Sequence, residues 1–184
     1  MNEEVSSPFR SRGFIGVFIR DILQLSRRLR LRMWLRSKIA YGKQFTVGKG
    51  FDFDCPDFCI LGERVSIGKN FTLQCNIDTG NDILISSNVS IIGNDHCFRD
   101  PNRTVYTEGR IDPPKVTLKG DNLIGFGVII VGPVTIGKGC IVGAGAVVTK
   151  DLPEYCVCVG IPAKPFEERY NKSHCDKKHN ELSY

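Results

Sequence analysis

The chain has 184 residues, of which 41% are hydrophobic and 24% charged, with Gly at 19 positions. That is enough for one domain with its own core, and it excludes a disordered, collagen-like or membrane-embedded polypeptide. The formal charge of +5 is unevenly spread: residues 1–44 hold ten Lys and Arg against three Asp and Glu, and residues 45–184 hold fifteen against seventeen. This division excludes a basic nucleic-acid surface running along the whole molecule, so no nucleic-acid partner is expected.

The first predicted element is a helix in the basic segment 1–44. Phe14, Phe18, Ile22, Leu25, Leu29 and Met33 are spaced by steps of four, four, three, four and four, a spacing that lines one helical face. Arg20, Arg27, Arg30 and Arg36 lie mostly off that stripe. Two readings stay open. Either the stripe packs on the domain or a partner subunit, or residues 14–36 rest on an anionic membrane as a peripheral contact. The N-terminus lacks the pattern of a secretory leader, and no run approaches the ~18 apolar residues of a spanning helix. The expected location is therefore cytoplasmic, at the inner membrane face if the helix binds lipid.

From residue 45 to 166 the chain is expected to form a repeat domain. Val47 and Phe53 open it as an irregular first coil, offset by two residues from the phase of the later hexads. Leu61, Ile67, Leu73, Thr79, Ile85 and Ile91 then recur every six residues, and Leu118, Ile124, Ile130, Ile136, Val142 and Val148 do so again. A period of six fits neither an amphipathic helix nor hairpin-linked strands. It fits a solenoid in which each hexad forms one flat side and a corner, with three hexads to a triangular coil. Successive coils would stack at the inter-strand spacing of about 4.8 Å.

The phase breaks between Ile91 and Leu118, and the polar, turn-rich residues 94–117 are read as a loop ejected from the solenoid. Such a loop is where function concentrates, because the scaffold does not need it. Residues 167–184 are polar and charged and read as a tail. The eight cysteines are expected to be reduced thiols, mostly buried as small hydrophobes. Neither Cys55/Cys59 nor Cys156/Cys158 has a second pair at zinc-site spacing.

Gly93-Asn94-Asp95-His96 leads into the loop, and Ile136-Gly-Lys-Gly-Cys-Ile-Val-Gly-Ala-Gly-Ala-Val-Val-Thr-Lys-Asp-Leu-Pro153 precedes Gly160-Ile-Pro-Ala-Lys164. With these motifs, residues 45–166 resemble the hexapeptide-repeat acyltransferases, in the branch of sugar and polysaccharide O-acetyltransferases that includes the maltose, galactoside and streptogramin enzymes. The resemblance implies an all-β fold, a left-handed parallel β-helix solenoid, here with an N-terminal α-helix and an ejected loop. It further implies a homotrimer with active sites between subunits, acetyl-CoA as co-substrate, no metal, and a saccharide acceptor.

Direct transfer of an acyl group from a thioester to a hydroxyl needs a base, and neutral imidazole has the right pKa. The resemblance gives that role to His96. Asp95, Asp100, a backbone carbonyl or an acid of a neighbouring subunit could orient the ring. Asn76, one coil upstream, and Asn94 and Asp95, at the loop entrance, are the acceptor-binding candidates. Gly125-Phe126-Gly127 falls where the family uses a backbone amide for the oxyanion, which makes the Phe126 N–H the donor. Leu123 stands where the family often has Trp. Gly125 and Ala144 would let pantetheine approach the backbone, and Thr149, Lys150 and Lys164 match positions at the nucleotide end. Arg99, Arg103 and Arg110 are candidates for an anionic acceptor. The rival functions are N-acetylation of an amino sugar and a non-catalytic scaffold. A zinc enzyme of this fold needs three histidines among its coils, and His174 and His179 fall in the tail.

Overall fold

The structure, a computed structural model, describes residues 14–170. Helix α1 spans Phe14–Leu35 and ends in a single 3-10 turn, Arg36–Lys38. Ile39 then turns extended and the solenoid begins. Its first coil is β1 (Ile39–Tyr41), β2 (Thr46–Val47) and β3 (Asp52–Phe53), and its second is β4 (Cys59–Leu61), β5 (Val65–Ile67) and β6 (Thr72–Leu73). The third is β7 (Asn76–Thr79), β8 (Ile83–Ile85) and β9 (Ser90–Ile92); the loop comes next, carrying the short helix α2 (Val105–Glu108). The fourth is β10 (Lys115–Leu118), β11 (Asn122–Ile124) and β12 (Ile129–Val131). The fifth is β13 (Val134–Ile136), β14 (Ile141–Val142) and β15 (Val147–Val148), after which β16 (Cys156–Val159) and β17 (Lys164–Glu168) close the molecule.

Up to β15 every third strand stacks in parallel into one of three sheets, and β16 and β17 extend the second of them. Sheet A runs β1-β4-β7-β10-β13, sheet B runs β2-β5-β8-β11-β14-β16-β17, and sheet C runs β3-β6-β9-β12-β15. Ile67 pairs with Ile85 and Leu73 with Ile91, eighteen residues on, as three hexads per coil require. Val47 pairs with Ile67 and Phe53 with Leu73, twenty residues on. The offset seen in the sequence is therefore a first coil two residues longer than the eighteen-residue coil that follows it. Between β9 and β12 the step is thirty-nine, Ile91 to Ile130, so the loop adds twenty-one residues without disturbing the stack.

The inward positions Val65, Ile67, Ile83, Ile85, Ile91, Ile124, Ile130, Ile136 and Val142 form one buried column, each worth roughly 1.5–3 kcal/mol on removal from water. The corners repeat too. Arg64, Asn70, Asp82, Asn88 and Asp121 adopt positive φ at equivalent places, and Gly127, Gly139 and Gly145 continue the same two columns. Asn, Asp and Gly suit that conformation, whereas Arg64 accepts its cost. Arg64 there also pairs with Asp82 one coil on. Inside the stack, Asn122 accepts from the Gly120 N–H (3.0 Å) and donates to the carbonyls of Gly137 (2.7 Å) and Cys140 (3.1 Å).

Two boundaries and the facing of one helix differ from expectation. The coils start at Ile39 rather than 45, because β1 already pairs with β4. They end past 166, because β17 turns back antiparallel on β16, tied down by Arg169, which donates to the Asp121 carboxylate (2.8 Å) and the Gly139 carbonyl (3.0 Å). The segment read as a tail thus begins inside a strand; residues 171–184, with His174 and His179, lie outside the described residues. The third difference concerns α1. It does pack on the solenoid, through Leu31 and Leu35, which are 1% and 5% exposed and join the core. Gln24 accepts from the Val47 N–H (3.1 Å) and Arg27 donates to the Val47 carbonyl (3.0 Å), so the helix caps the open first coil. The stripe itself faces out: Ile22, Leu25, Leu29 and Met33 are 52%, 58%, 51% and 73% exposed. The side chains of Phe14 and Phe18 lie outside the described residues.

Candidate active site

The loop leaves the solenoid at the edge between sheets C and A, after β9, and returns at β10. Its base is a two-stranded ribbon. Residues 96 and 110 bridge antiparallel, the Cys97 N–H donates to the Gly109 carbonyl (2.9 Å) and the Ile111 N–H to the Asp95 carbonyl (3.0 Å). Helix α2 is capped by Thr104, and Glu108 at its end accepts from the backbone N–H groups of Arg99 (2.9 Å) and Asp100 (3.1 Å). The loop is consequently held by its own hydrogen bonds, with His96 on the ribbon.

The His96 Nδ1 is buried and has no hydrogen-bond partner among the described residues. Asp95 does not supply one: its carboxylate accepts from the His96 backbone N–H at 2.7 Å. A buried, unpaired ring nitrogen costs about 1–3 kcal/mol, so this geometry calls for a further group at that face. Asn94 sits beside His96, its carbonyl accepting from Arg110 (2.8 Å). The other loop arginines are engaged as well, Arg103 with Asp100 (3.4 Å) and Arg99 over the Phe98 ring (5.7 Å).

Asn76 is placed otherwise than an acceptor ligand would be. It is buried at the start of β7, its Oδ1 accepts from the N–H groups of Asp57 (2.9 Å) and Phe58 (3.1 Å), and its Nδ2 donates to Asp57 (2.9 Å). It ties one coil to the next and turns no free acceptor oxygen outward.

The remaining candidates divide between two edges. Thr149 and Lys150, both exposed, come after β15 at the same edge of sheet C as His96. Gly125 and Phe126 come after β11, and Ala144 after β14, at the opposite edge, between sheets B and C. There the coils nearly touch: a Cβ on Gly125 would lie 2.6 Å from the Ala144 nitrogen, and the Gly145 N–H donates to the Phe126 carbonyl (2.8 Å). The Phe126 N–H has no acceptor among the described residues. A Cβ at Gly127 or Gly145 would meet nothing within 4 Å, so this edge is bare backbone beside open space. Lys164, opposite Val159 at the start of β17, stands above it as the cation. Small residues beside open space, with a lysine on the adjoining strand, fit the pantetheine arm and phosphates of a coenzyme A thioester. Sheet C keeps the two edges apart by about 10 Å or more, three residues of strand.

Residues 115–150, the fourth and fifth coils, match the family described as Bacterial transferase hexapeptide (six repeats). The match is confined to those repeats, about a fifth of the chain. Among relatives of the hexapeptide chain, a protein of Schizosaccharomyces pombe named as an acetyltransferase is 34% identical over 119 residues, covering 60% of this chain and 56% of that one. Galactoside O-acetyltransferase of Escherichia coli strain K12 is 30% identical over 131 residues, covering 67% and 63%. The solved hexapeptide-repeat acetyltransferase of Vibrio cholerae, in complex with acetyl coenzyme A, superposes with a TM-score of 0.67 at 24% identity, over 86% of this chain and 85% of that one. At that identity the likeness shows the fold, a left-handed parallel β-helix. The chain spans between 52% and 63% of the length of the first curated relatives it matches.

Reading the hexads missed Glu108. It lies outside the six-residue phase and acts on amides eight and nine residues away, so no local pattern marks it.

Proposed function

We propose that this hexapeptide solenoid is an acetyl-CoA-dependent O-acetyltransferase acting on a saccharide hydroxyl, such as that of a surface polysaccharide, lipopolysaccharide or related glycan. It works in the cytoplasm as a homotrimer with active sites between subunits. One observation carries the reading: His96, on one edge of sheet C, and the free Phe126 N–H, on the other, are complementary halves of an acyl-transfer site. Each half lacks what the other offers. A neighbouring copy that sets its sheet B–C edge against this chain's C–A edge completes both. The acetyltransferase names of the relatives, and of the galactoside enzyme for the acceptor, support the choice of reaction.

Bound acetyl-CoA supplies the acyl group as a thioester. Gly125 and Ala144 leave room for its arm; Lys164 meets its nucleotide end from the same edge, and Thr149 and Lys150 meet it from the facing C–A edge of the neighbouring copy. His96 takes the proton of the acceptor hydroxyl as that oxygen attacks the carbonyl carbon, with Asn94 and Asp95 on the acceptor side. The Phe126 N–H donates to the oxyanion that develops. His96 then returns the proton to the departing sulfur as the C–S bond breaks, so protons balance and no acyl-enzyme forms.

The test is thiol release from acetyl-CoA across mono-, oligo- and lipid-linked saccharides, with amino sugars as a separate arm. A hydroxyl-bearing saccharide is expected to stimulate release, and His96→Ala to lower kcat by at least about 10²-fold with folding intact. Turnover on amino sugars alone would replace O-transfer by N-transfer, and near-normal turnover in His96→Ala would remove the base.

A further inference from the structure

Helix α1 has two faces of different use. At 3.6 residues per turn, Ile19, Ile22, Leu25, Leu29 and Met33 fall within an arc of about 120°, centred about 160° from Leu31 and Leu35. Leu31 and Leu35 hold the helix to the first coil, so most of that arc looks away from the protein; Leu25, at its edge, also borders the cleft over Thr46, Ser66 and Leu84, and all five residues are exposed. Arg30 borders it on one side and Arg32 on the other, each about 20° beyond the last apolar residue. Between Phe14 and Leu35 there are five arginines and one acid, Asp21, and Asp21 is already paired with Arg20 (3.2 Å). No helix among the described residues is long and apolar enough to cross a membrane.

We propose that the outward face of α1 docks the protein on a lipid bilayer of negative surface charge, with α1 lying in the plane of the interface. Leu25, Leu29, Ile22 and Met33 enter the boundary between headgroups and acyl chains, while Arg30 and Arg32 reach lipid phosphates on either side. Charge decides against pairing of this face with the same helix of a second copy. Two such helices face to face would bring arginine borders together with no carboxylate to neutralise them, whereas an anionic leaflet supplies negative charge in excess. Because α1 is pinned to β2 by Gln24 and Arg27, docking fixes the solenoid's orientation on the surface. It would keep the enzyme beside acceptors carried on lipid.

The experiment uses the full chain and co-sedimentation with vesicles of phosphatidylcholine alone or of phosphatidylcholine with phosphatidylglycerol, at low and high salt. The protein is expected to pellet with the anionic vesicles, to do so less at high salt, and to remain in solution with the neutral ones. The pair Leu29→Glu with Met33→Glu should weaken anionic-vesicle binding by at least about tenfold, with the thermal midpoint and the activity in solution unchanged. Arg30→Gln with Arg32→Gln, which keeps the apolar arc, should lose the preference for anionic vesicles. Failure to pellet with anionic vesicles, equal pelleting with neutral ones, or undiminished binding by the glutamate pair overturns the proposal. So does a lower oligomeric mass of the glutamate pair by analytical ultracentrifugation without lipid, which would make this face a contact between copies.

Discussion

Cys55, Cys59, Cys75, Cys140 and Cys158 point into the coils, and loss of solvation pushes each thiol above its usual 9.0, Cys75 to about 11. Those thiols stay neutral when folded and ionise near 9.0 when unfolded, so the unfolded chain loses protons first as pH rises. Their contribution to stability is therefore complete below 9 and declines above it, through about 11 for Cys75. Urea melts at a series of pH values should show a midpoint insensitive to these groups up to about pH 8.5 and falling beyond it. A midpoint still flat at pH 11 would mean these thiols are not shielded. At the same scale, Asn76 shows what a residue's type leaves open. An Asn one coil upstream of the loop can bind acceptor or tie coils together, and here its side chain bonds to Asp57 and Phe58, nineteen and eighteen residues back.

The loop is the element on which the proposed chemistry depends, and Glu108 holds it. With its Oε1 accepting two backbone N–H groups, this carboxylate closes the segment that carries His96. Glu108→Ala is expected to lower kcat by about tenfold or more while the acetyl-CoA KM changes little, since a displaced base slows chemistry more than it weakens binding. Glu108→Gln, which keeps the accepting oxygen, should recover most of the loss. Faster proteolysis within residues 98–109 of the alanine variant would mark the loosened loop, and an unchanged kcat would show that the ribbon alone holds His96. Helix α1 teaches a complementary lesson. Its apolar spacing correctly grouped Ile22, Leu25, Leu29 and Met33 on one face, but spacing says only which residues share a face. The core took Leu31 and Leu35 instead, because the open coil end offered its apolar surface to that side.

At the scale of the whole molecule, a solenoid protomer cannot bring its own two edges of sheet C together, because that sheet lies between them. The proposed site between subunits predicts complementation. His96→Ala disables the C–A edge, and Ala144→Trp fills the B–C edge; each variant alone should be inactive. Trimers formed from an equal mixture should regain about a quarter of wild-type activity, since a site works only where an intact edge of each kind meets. Co-expression with two affinity tags and the thiol-release assay read this directly. No recovery would mean that each site is built within one chain.

The sequence by itself determined the coil. Inward aliphatic residues every six positions, with Asn, Asp and Gly at the corners, repeat often enough that one coil constrains the next, and the break after Ile91 announces the loop. It also brought His96, Gly125, Phe126, Ala144 and the lysines forward through motifs that resemble a known family. Tertiary structure alone decided that these candidates stand on two edges, that Asn76 is spent inside the stack, that β17 reverses onto β16, and that the apolar face of α1 looks outward. The physical reason is common to all four. Periodicity reports the environment a residue shares with its own repeat, whereas edge, partner and exposure depend on groups from other coils, which local spacing does not encode.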